Sequence, residues 1–298
     1  MRFCVPFPMF PADHVMALAP VVESAGFHLV AVPDSAFFPE TVSADYPYSP
    51  DGRRFWAADT PFVEPFIAMA AMAALTTRLK FVTNVVKMPL RDPLMVAKQL
   101  SSLAVLSGER IEFGVGLSWI PEEFEWVRTE MRTRGARLDE QVEVLRLLCG
   151  GGGPRFVEYH GRHYDFGRLM MSPAPQSPVP VLVGGHSEPA LRRAARVGDG
   201  WISVQASTPE VRRVAERLAE LRAEFGRSAE PFDINCLPLD IVPGAAGREA
   251  FEALATYIES LGMSATFQVV PWYFSGGDPN DLGVRRDSIE RCGSELIG

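Results

Sequence analysis

Two adjacent glycines followed by a histidine and a serine form the first pattern that could do chemistry. Gly184-Gly185-His186-Ser187 ends an apolar run and precedes a stretch of helical period. Glycines let a backbone approach a ligand closely, and the free N–H groups at a helix start attract anions. We predict a phosphate cradle here, with Ser187 as helix cap. A tight strand-to-helix turn without a ligand would explain the same pattern.

Carboxylates follow two of the apolar runs. Asp34 and Ser35 come directly after one of them, and Glu122 and Glu123 lie in the segment that follows another. A carboxylate or hydroxyl at a strand end can bind a polar ring edge, hold a substrate or move a proton. Both patterns also have structural explanations, because Asp stabilises turns and acidic residues favour the first turn of a helix.

Metal and hydrolase motifs do not occur in the sequence. The five histidines include no His-x-His and no HExxH, and the chain has no G-x-S-x-G, Walker or GxGxxG motif. This argues against a metal centre, a serine hydrolase and a Rossmann or P-loop protein. The cysteines lack metal or redox spacing and are predicted to be inert thiols. They are Cys4, Cys149, Cys236 and Cys292.

Short apolar runs alternate along the chain with stretches of helical period. Helical spacing places Leu138, Val142, Leu145 and Cys149 on one face, as an example. Strands that alternate with helices indicate parallel βα units, and eight units favour a (β/α)₈ TIM barrel over an open doubly wound sheet. The predicted strands are Phe3–Phe7, Leu29–Val32, Leu79–Asn84, Ile111–Val115, Val179–Val183, Trp201–Val204, Asp233–Leu239 and Thr266–Val270.

Three segments interrupt this alternation and are predicted to be insertions. Residues 35–61 follow the second strand, 117–132 follow the fourth, and 150–180 precede the fifth and contain a candidate β-hairpin around Gly161. Barrel enzymes build their active sites at the carboxyl ends of strands, where the first two insertions lie. Strand alternation also points Glu112 into the barrel, where a carboxylate needs partners.

Composition and charge limit the partners. The chain of 298 residues is 47% hydrophobic with a net charge of −8, which argues against nucleic acid as a partner. No apolar stretch reaches the ~18 residues of a membrane span, and the amino terminus lacks a secretory pattern. We therefore expect one cytoplasmic domain over residues 1–298, with neither nucleic acid nor a membrane as its partner.

The order and spacing of several motifs resemble the luciferase-like monooxygenase superfamily, in particular its coenzyme F420-dependent oxidoreductases. The motifs are Pro89-Leu90-Arg91-Asp92-Pro93, Leu106-Ser107-Gly108-Glu109-Arg110, Gly114-Val115-Gly116, Glu122-Glu123-Phe124, Arg134-Gly135-Ala136-Arg137-Leu138-Asp139-Glu140, Val183-Gly184-Gly185 and Gly198-Asp199-Gly200-Trp201. The resemblance runs nearly end to end.

The resemblance implies a homodimeric (β/α)₈ barrel with an F420 or FMN ring over the carboxyl mouth. Asp34 would face the polar edge of the ring. Asn84 and Val85 would form a bulge, with a non-proline cis peptide, that backs the ring. Gly184, Gly185 and the following residues His186 and Ser187 would hold the phosphate side chain.

Two departures from the family pattern bear on catalysis. Ser35 stands where many deazaflavin enzymes carry His, and Trp119 stands where the sugar-phosphate dehydrogenases place a catalytic Glu. A sugar phosphate is therefore not expected as substrate, and nearby aromatic residues favour an apolar or flat one. Ser35, Glu122 and Trp119 remain the candidate catalytic residues, and the proton donor is left open.

Three functions follow as hypotheses. The first is hydride transfer between reduced F420 and an organic substrate, with the cofactor supplying the chemistry. The second is an FMN-dependent monooxygenase of the same fold. The third is a non-catalytic deazaflavin-binding protein, which the loss of the His and Glu would fit.

Overall fold

A computed structural model describes residues 1–49, 51–203 and 205–298. The strands are β1 (Arg2–Pro6), β2 (Leu29–Val32), β3 (Lys80–Thr83), β4 (Val86–Lys87), β5 (Ile111–Gly116), β6 (Phe156–His160), β7 (Asp165–Met170), β8 (Val181–Gly184), β9 (Gly200–Ile202), β10 (Asp233–Cys236) and β11 (Ser264–Gln268). The α-helices are α1 (Ala12–Ser24), α2 (Pro65–Ala74), α3 (Pro93–Leu106), α4 (Pro121–Trp126), α5 (Arg134–Cys149), α6 (Glu188–Val197), α7 (Thr208–Glu224), α8 (Arg248–Ser260) and α9 (Leu282–Leu296). Short 3-10 helices cover Met88–Leu90, Met131–Thr133, Ala245–Gly247 and Pro271–Phe274.

Parallel strands close into a barrel, as predicted, and do not form an open sheet. The order is β3-β2-β1-β11-β10-β9-β8-β5-β4, and β3 also pairs with β5. β3 and β4 both pair with β5 and act as one interrupted strand. Counted in this way, the barrel in the described residues has eight strands. Helices α1–α9 surround it in a (β/α)₈ arrangement.

The predicted strands are all present, but several are shorter than expected. The third ends at Thr83, and pairing resumes only at Val86. The seventh stops at Cys236, three residues before Leu239. For the sixth, predicted as Trp201–Val204, the strand ends at Ile202 and Val204 lies outside the described residues. Sequence reasoning extended the third strand through Asn84 and the seventh through Leu239, and both residues lie beyond the ends of the observed strands.

The hairpin predicted around Gly161 is confirmed. β6 and β7 pair antiparallel, with His160 opposite Asp165. The turn is held by Glu140 of α5, whose carboxylate accepts from the backbone N–H groups of Arg162, His163 and Tyr164 at 3.1, 2.8 and 3.1 Å. The contact explains why Glu140 is part of the motif that begins at Arg134.

Two apolar clusters make up the core. The larger lies between the barrel and its helices and contains the helical stripes predicted from spacing, including Leu138, Val142, Leu145 and Cys149. The smaller one fills the barrel. The barrel strands are buried on both faces, and this explains why their sequences are nearly continuous apolar runs. The smaller cluster consists of Cys4, Leu29, Ala31, Val82, Leu182 and Ile202.

A charged cluster closes the amino-terminal end of the barrel and gives Glu112 its partners. Arg2 donates to both carboxylate oxygens of Glu112, at 2.5 and 3.2 Å, to Asp233 at 3.1 Å and to Thr266 at 3.0 Å. Lys80 lies 4.0 Å from Glu112. Burial opposes ionisation of Arg2, but the two carboxylates outweigh it and raise its pKa above the usual value. The cluster lies at the end of the barrel associated with stability.

We predict that Arg2→Leu lowers the free energy of unfolding by about 3–5 kcal/mol, because it leaves the buried Glu112 and Asp233 carboxylates unpaired. The measurement is urea unfolding followed by circular dichroism. The control is Arg248→Leu, which removes an exposed pair with Glu252 and should change stability by no more than ~0.5 kcal/mol. Equal effects of the two substitutions would contradict the prediction.

Candidate functional site

A cavity of about 330 Å³ opens at the carboxyl ends of the strands. Its floor comes from strand ends, and its outer wall comes from the insertions after β2 and β5 and from Tyr273, which follows β11. The volume suits a small organic ligand. The aromatic lining consists of Phe37, Phe38, Tyr46, Tyr48, Phe55, Trp56, Phe62, Trp119 and Tyr273.

The bulge at Asn84–Val85 forms the centre of the floor. The peptide bond between these residues is cis, as the family resemblance implied. Space for Val85 comes from glycines on the adjacent strands. A β-carbon at Gly116 would lie 2.6 Å from Val85 Cγ2, and one at Gly184 would lie 3.1 Å from Val85 Cγ1. At Gly114 it would meet Thr83 O at 1.9 Å. These glycines therefore let the chain after β3 fold into the barrel.

Side-chain amides connect this bulge to β10 and β11 across the barrel. Asn84 Nδ2 donates to Gln268 Oε1 at 3.0 Å, and Gln268 Nε2 donates to Asn235 Oδ1 at 2.8 Å and to the Ser203 carbonyl at 3.1 Å. Asn84 Oδ1 and Asn235 Nδ2 are buried and have no partner among the described residues. Asn84 also lines the cavity. Its unpaired oxygen would accept a hydrogen bond from a ligand N–H, which would relieve the cost of a buried unpaired acceptor.

The predicted cradle contains a glycine that the backbone requires. Gly185 has φ of +115°, and a β-carbon there would lie 2.9 Å from that of Ala190. Trp201 Nε1 donates to the Gly185 carbonyl at 2.8 Å and fixes the turn. Gly184, Gly185 and His186 line the cavity. Ser187 takes the N-cap position of α6, but its hydroxyl makes no capping hydrogen bond, and it does not line the cavity.

His186 is held in place by both ring nitrogens. Nε2 lies 2.8 Å from Ser203 Oγ, and Nδ1 lies 3.1 Å from Glu210 Oε1. Its ring also packs edge-on against Trp201, with centroids 5.3 Å apart. The imidazole therefore forms a fixed part of the cavity wall.

Asp34 lines the cavity but is already bonded. Arg91 donates to both of its carboxylate oxygens, at 2.7 and 2.8 Å, and the Lys87 N–H donates at 2.9 Å. The side chain is only 1% exposed. Sequence reasoning did not anticipate Arg91, although it lies in a recognised motif. Ser35 also lines the cavity, and its hydroxyl has no hydrogen-bond partner among the described residues.

Glu122, a candidate catalytic residue, does not line the cavity. Its Oε1 accepts from the Ser43 N–H at 2.8 Å, and hydrogen bonds from Ser43 lower its pKa. Adjacent residues of a helix point about 100° apart, so the two glutamates at the start of α4 face different surroundings. The position of Glu122 gives no support to the catalytic role expected from sequence.

The neighbouring Glu123 is fully buried and bonded to a cavity residue. Lys87 Nζ lies 2.5 Å from Glu123 Oε1, and Ser118 donates to Oε2. Lys87 lines the cavity, whereas its carboxylate partner does not. Sequence reasoning missed this pair. The available signal was a single lysine within the apolar run that ends the third strand.

The outer wall is built around Tyr46. Its ring centroid lies 5.1 Å from that of Trp56, 5.4 Å from Trp119 and 5.6 Å from Tyr48. Burial, together with Tyr48, raises the pKa of Tyr46 to about 12, so its hydroxyl stays neutral at physiological pH. Trp119 is thus a cavity residue, as expected, and offers a flat surface.

Metal-ligand clusters and membrane-spanning helices are absent from the described part of the chain. No group of three or more His, Cys, Asp and Glu side chains there is arranged to hold a metal ion. None of the helices there has the length and apolar character needed to cross a bilayer. The four cysteines are free and buried, and burial raises the pKa of each thiol.

Comparison with known proteins agrees with this architecture. An uncharacterized protein of Mycobacterium tuberculosis is 42% identical over 240 residues, which cover 80% of this chain and 82% of that protein. An F420-dependent glucose-6-phosphate dehydrogenase of Nocardia farcinica is 30% identical over 172 residues, 55% of this chain and 50% of that protein.

A similar solved structure is the oxygenating constituent of 3,6-diketocamphane monooxygenase from Pseudomonas putida, a type II Baeyer-Villiger monooxygenase in complex with FMN. It has a TM-score of 0.70 at 15% identity and covers 99% of this chain and 97% of that one. The family model described as luciferase-like monooxygenase matches residues 7–282. Because this match spans most of the chain, the protein belongs to the luciferase-like monooxygenase family.

Proposed function

We propose that this protein is an F420-dependent oxidoreductase that transfers a hydride between reduced deazaflavin and an apolar or flat organic substrate. A relative named as F420-dependent and a structural neighbour in complex with FMN indicate a deazaflavin or flavin cofactor for the family. The observation that carries the proposal is the cavity itself, which combines an amide floor at Asn84 with an aromatic outer wall.

The floor residues fit a cofactor ring. Asn84 Oδ1 is a buried acceptor without a partner among the described residues, which suits a ring with N–H groups. The N–H groups of Gly185, His186 and Ser187 donate to no acceptor among those residues, which suits a phosphate at the start of α6. Asn84, Val85, Gly184, Gly185 and His186 would hold the group. When bound, F420 would supply the hydride chemistry.

The remaining cavity residues would bind and orient the substrate. Tyr46, Trp56 and Trp119 provide flat apolar surface that excludes water from the reacting atoms. Ser35 has a hydroxyl without a partner among the described residues and would donate a hydrogen bond to a substrate oxygen. Asp34 enters the site as half of an ion pair with Arg91 and shapes the cavity mouth.

Two other functions remain as alternatives with their own support. An FMN-dependent monooxygenase is favoured by the FMN-bound neighbour. A non-catalytic deazaflavin-binding protein is favoured by Ser35 and Trp119, which stand where related enzymes were expected to carry His and Glu. The aromatic wall of the cavity argues for a substrate and hence for an enzyme.

We predict that the protein without cofactor binds F420 at least about 10-fold more tightly than FMN, a difference of ~1.4 kcal/mol. Calorimetric titration with each cofactor measures both dissociation constants. A preference for FMN would reject the deazaflavin proposal in favour of the monooxygenase. If F420 binds but its reduced form is oxidised by none of a broad panel of enones, ketones and imines, the carrier function replaces the oxidoreductase.

We predict that Asn84→Leu weakens F420 binding about 10-fold, because it removes the unpaired acceptor at the floor. The matched control is Asn235→Leu, which disturbs the same amide network at Gln268 from a residue that does not line the cavity. We would titrate both variants with F420 and measure their unfolding temperatures. This distinguishes a direct contact between Asn84 and the cofactor from an effect of the amide network. Equal loss of affinity in the two variants would show that Asn84 acts only through packing.

We also propose that the protein is a homodimer formed through α2 and α3. These helices contact each other. Their outer surface exposes Ile67, Met95 and Leu106, at 66%, 62% and 79%. Met95, Gln99, Ser102 and Leu106 share one face at spacings of four, three and four residues. Gln99 and Ser102 make this face mixed, but large exposed apolar side chains on two adjacent helices are a feature of protein interfaces.

We predict that Met95→Glu converts a dimer into a monomer, because a charge would be buried against an apolar partner surface. Sedimentation equilibrium of the wild type and the variant measures the mass. The control is Met16→Glu, at an exposed methionine of α1, which should leave the mass unchanged. A monomeric wild type would refute the proposal.

A further inference from the structure

The charged side chains of the cavity wall do not all have partners. Asp34 is paired with Arg91, and Lys87 is paired with Glu123. Arg54 also lines the cavity, yet no carboxylate lies within 4.0 Å of it among the described residues. After the two ion pairs are accounted for, Arg54 leaves a positive charge at the wall of the cavity.

The guanidinium of Arg54 is fixed and largely unused. Its Cζ lies 3.5 Å from the ring centroid of Phe38, and Nη2 donates to the Pro39 carbonyl at 2.8 Å. A guanidinium carries five N–H donors, and this is its one hydrogen bond among the described residues. Stacking orients its plane before a ligand arrives, which reduces the entropic cost of bidentate binding to a carboxylate.

No nearby acidic group among the described residues forms an ion pair with Arg54, although Glu122 and Glu123 stabilise its charge from a distance. Both glutamates lie more than 4.0 Å from Arg54. Glu123 is paired with Lys87, and Glu122 accepts from the Ser43 N–H through Oε1, while its Oε2 has no partner among the described residues. Burial beside the aromatic wall lowers the pKa of Arg54 from its ordinary value, but arginine remains ionised at neutral pH. A ligand anion would therefore meet an available cation.

Flat apolar surface lines the same cavity. Trp56 and Trp119 each pack against Tyr46, and all three line the cavity with Arg54. Aromatic walls bury planar rings well. A purely apolar ligand would leave Arg54 without an anion, whereas a small aliphatic acid would leave the aromatic surface uncovered.

We propose that the outer part of this cavity binds a planar aromatic carboxylic acid, with its carboxylate on Arg54 and its ring against Tyr46, Trp56 and Trp119. The inference rests on the proposed function, because it names the substrate class of that site. The cofactor would occupy the floor at Asn84, away from the insertion that carries Arg54.

The test compares 2-naphthoate with its neutral counterpart 2-naphthamide by calorimetry, on the protein without cofactor and on the F420-loaded protein. We expect the acid to bind at least about 10-fold more tightly, as a charge-assisted bidentate contact would give. Arg54→Met should abolish that preference. Arg53→Met, at the adjacent exposed arginine outside the cavity lining, should retain it.

The outcomes separate this inference from the proposed function. Equal affinity for acid and amide, or a preference that survives Arg54→Met, would overturn the aromatic-acid site. Competition between 2-naphthoate and F420 would also overturn it, because Arg54 would then serve the cofactor. If F420 fails to bind while the Arg54-dependent preference persists, the acid site stands and the deazaflavin function fails.

Discussion

The side chain of Val85 lies in the space that glycines on the adjacent strands leave free, and this packing fixes the floor of the cavity. Gly114 and Gly116 are two residues apart and lie on the same inward face of β5. Gly184 lies on the adjacent strand β8. Side chains at these positions would collide with Thr83 O or Val85. The chain after β3 can therefore turn into the barrel before pairing with β5 again at β4.

This single packing arrangement determines what the cavity presents. Because the bulge turns inward, Asn84 reaches Gln268 on the far side of the barrel, and the amide network spans the mouth. Below it lies the small apolar cluster, and below that the Arg2 cluster, in which both carboxylates are paired. The barrel interior thus changes from fully paired polar groups at one end to partly unpaired ones at the other. Unpaired buried groups in a native protein call for an explanation, and ligand binding provides one at the mouth.

The scaffold could be predicted from sequence because its signals are local. Apolar runs, helical spacing and the hairpin around Gly161 depend on neighbouring residues. These patterns were enough to predict the eight-stranded barrel. The bulge at Asn84–Val85 came from family resemblance and not from any local preference. The site was harder because its contacts join distant residues: Arg91 reaches Asp34 across 57 positions, and Lys87 reaches Glu123 across 36. Between two adjacent glutamates, no periodic pattern in a six-residue helix decides which one faces inward.

Apart from Gly184 and Gly185, which line the cavity, many residues of the recognised motifs stabilise the fold. Asp92 caps α3 by accepting from the backbone of Leu94, and Arg110 donates to carbonyls at the end of α2. Asp139 pairs with Arg193, and Glu140 holds the hairpin turn. These motif residues stabilise the barrel and explain why the family could be identified.

Arg54, Lys87 and Trp119 lie outside those motifs, although all three line the cavity. Two of them sit on insertions after strands, where loops can vary without disturbing the barrel. Resemblance therefore identifies the scaffold and the class of cofactor, whereas the proposed substrate contacts come from residues that the motifs do not contain. Arg54, which has no carboxylate partner among the described residues and shares the cavity with the aromatic wall, most restricts the proposed substrate, because a ligand must satisfy both its charge and the flat apolar surface.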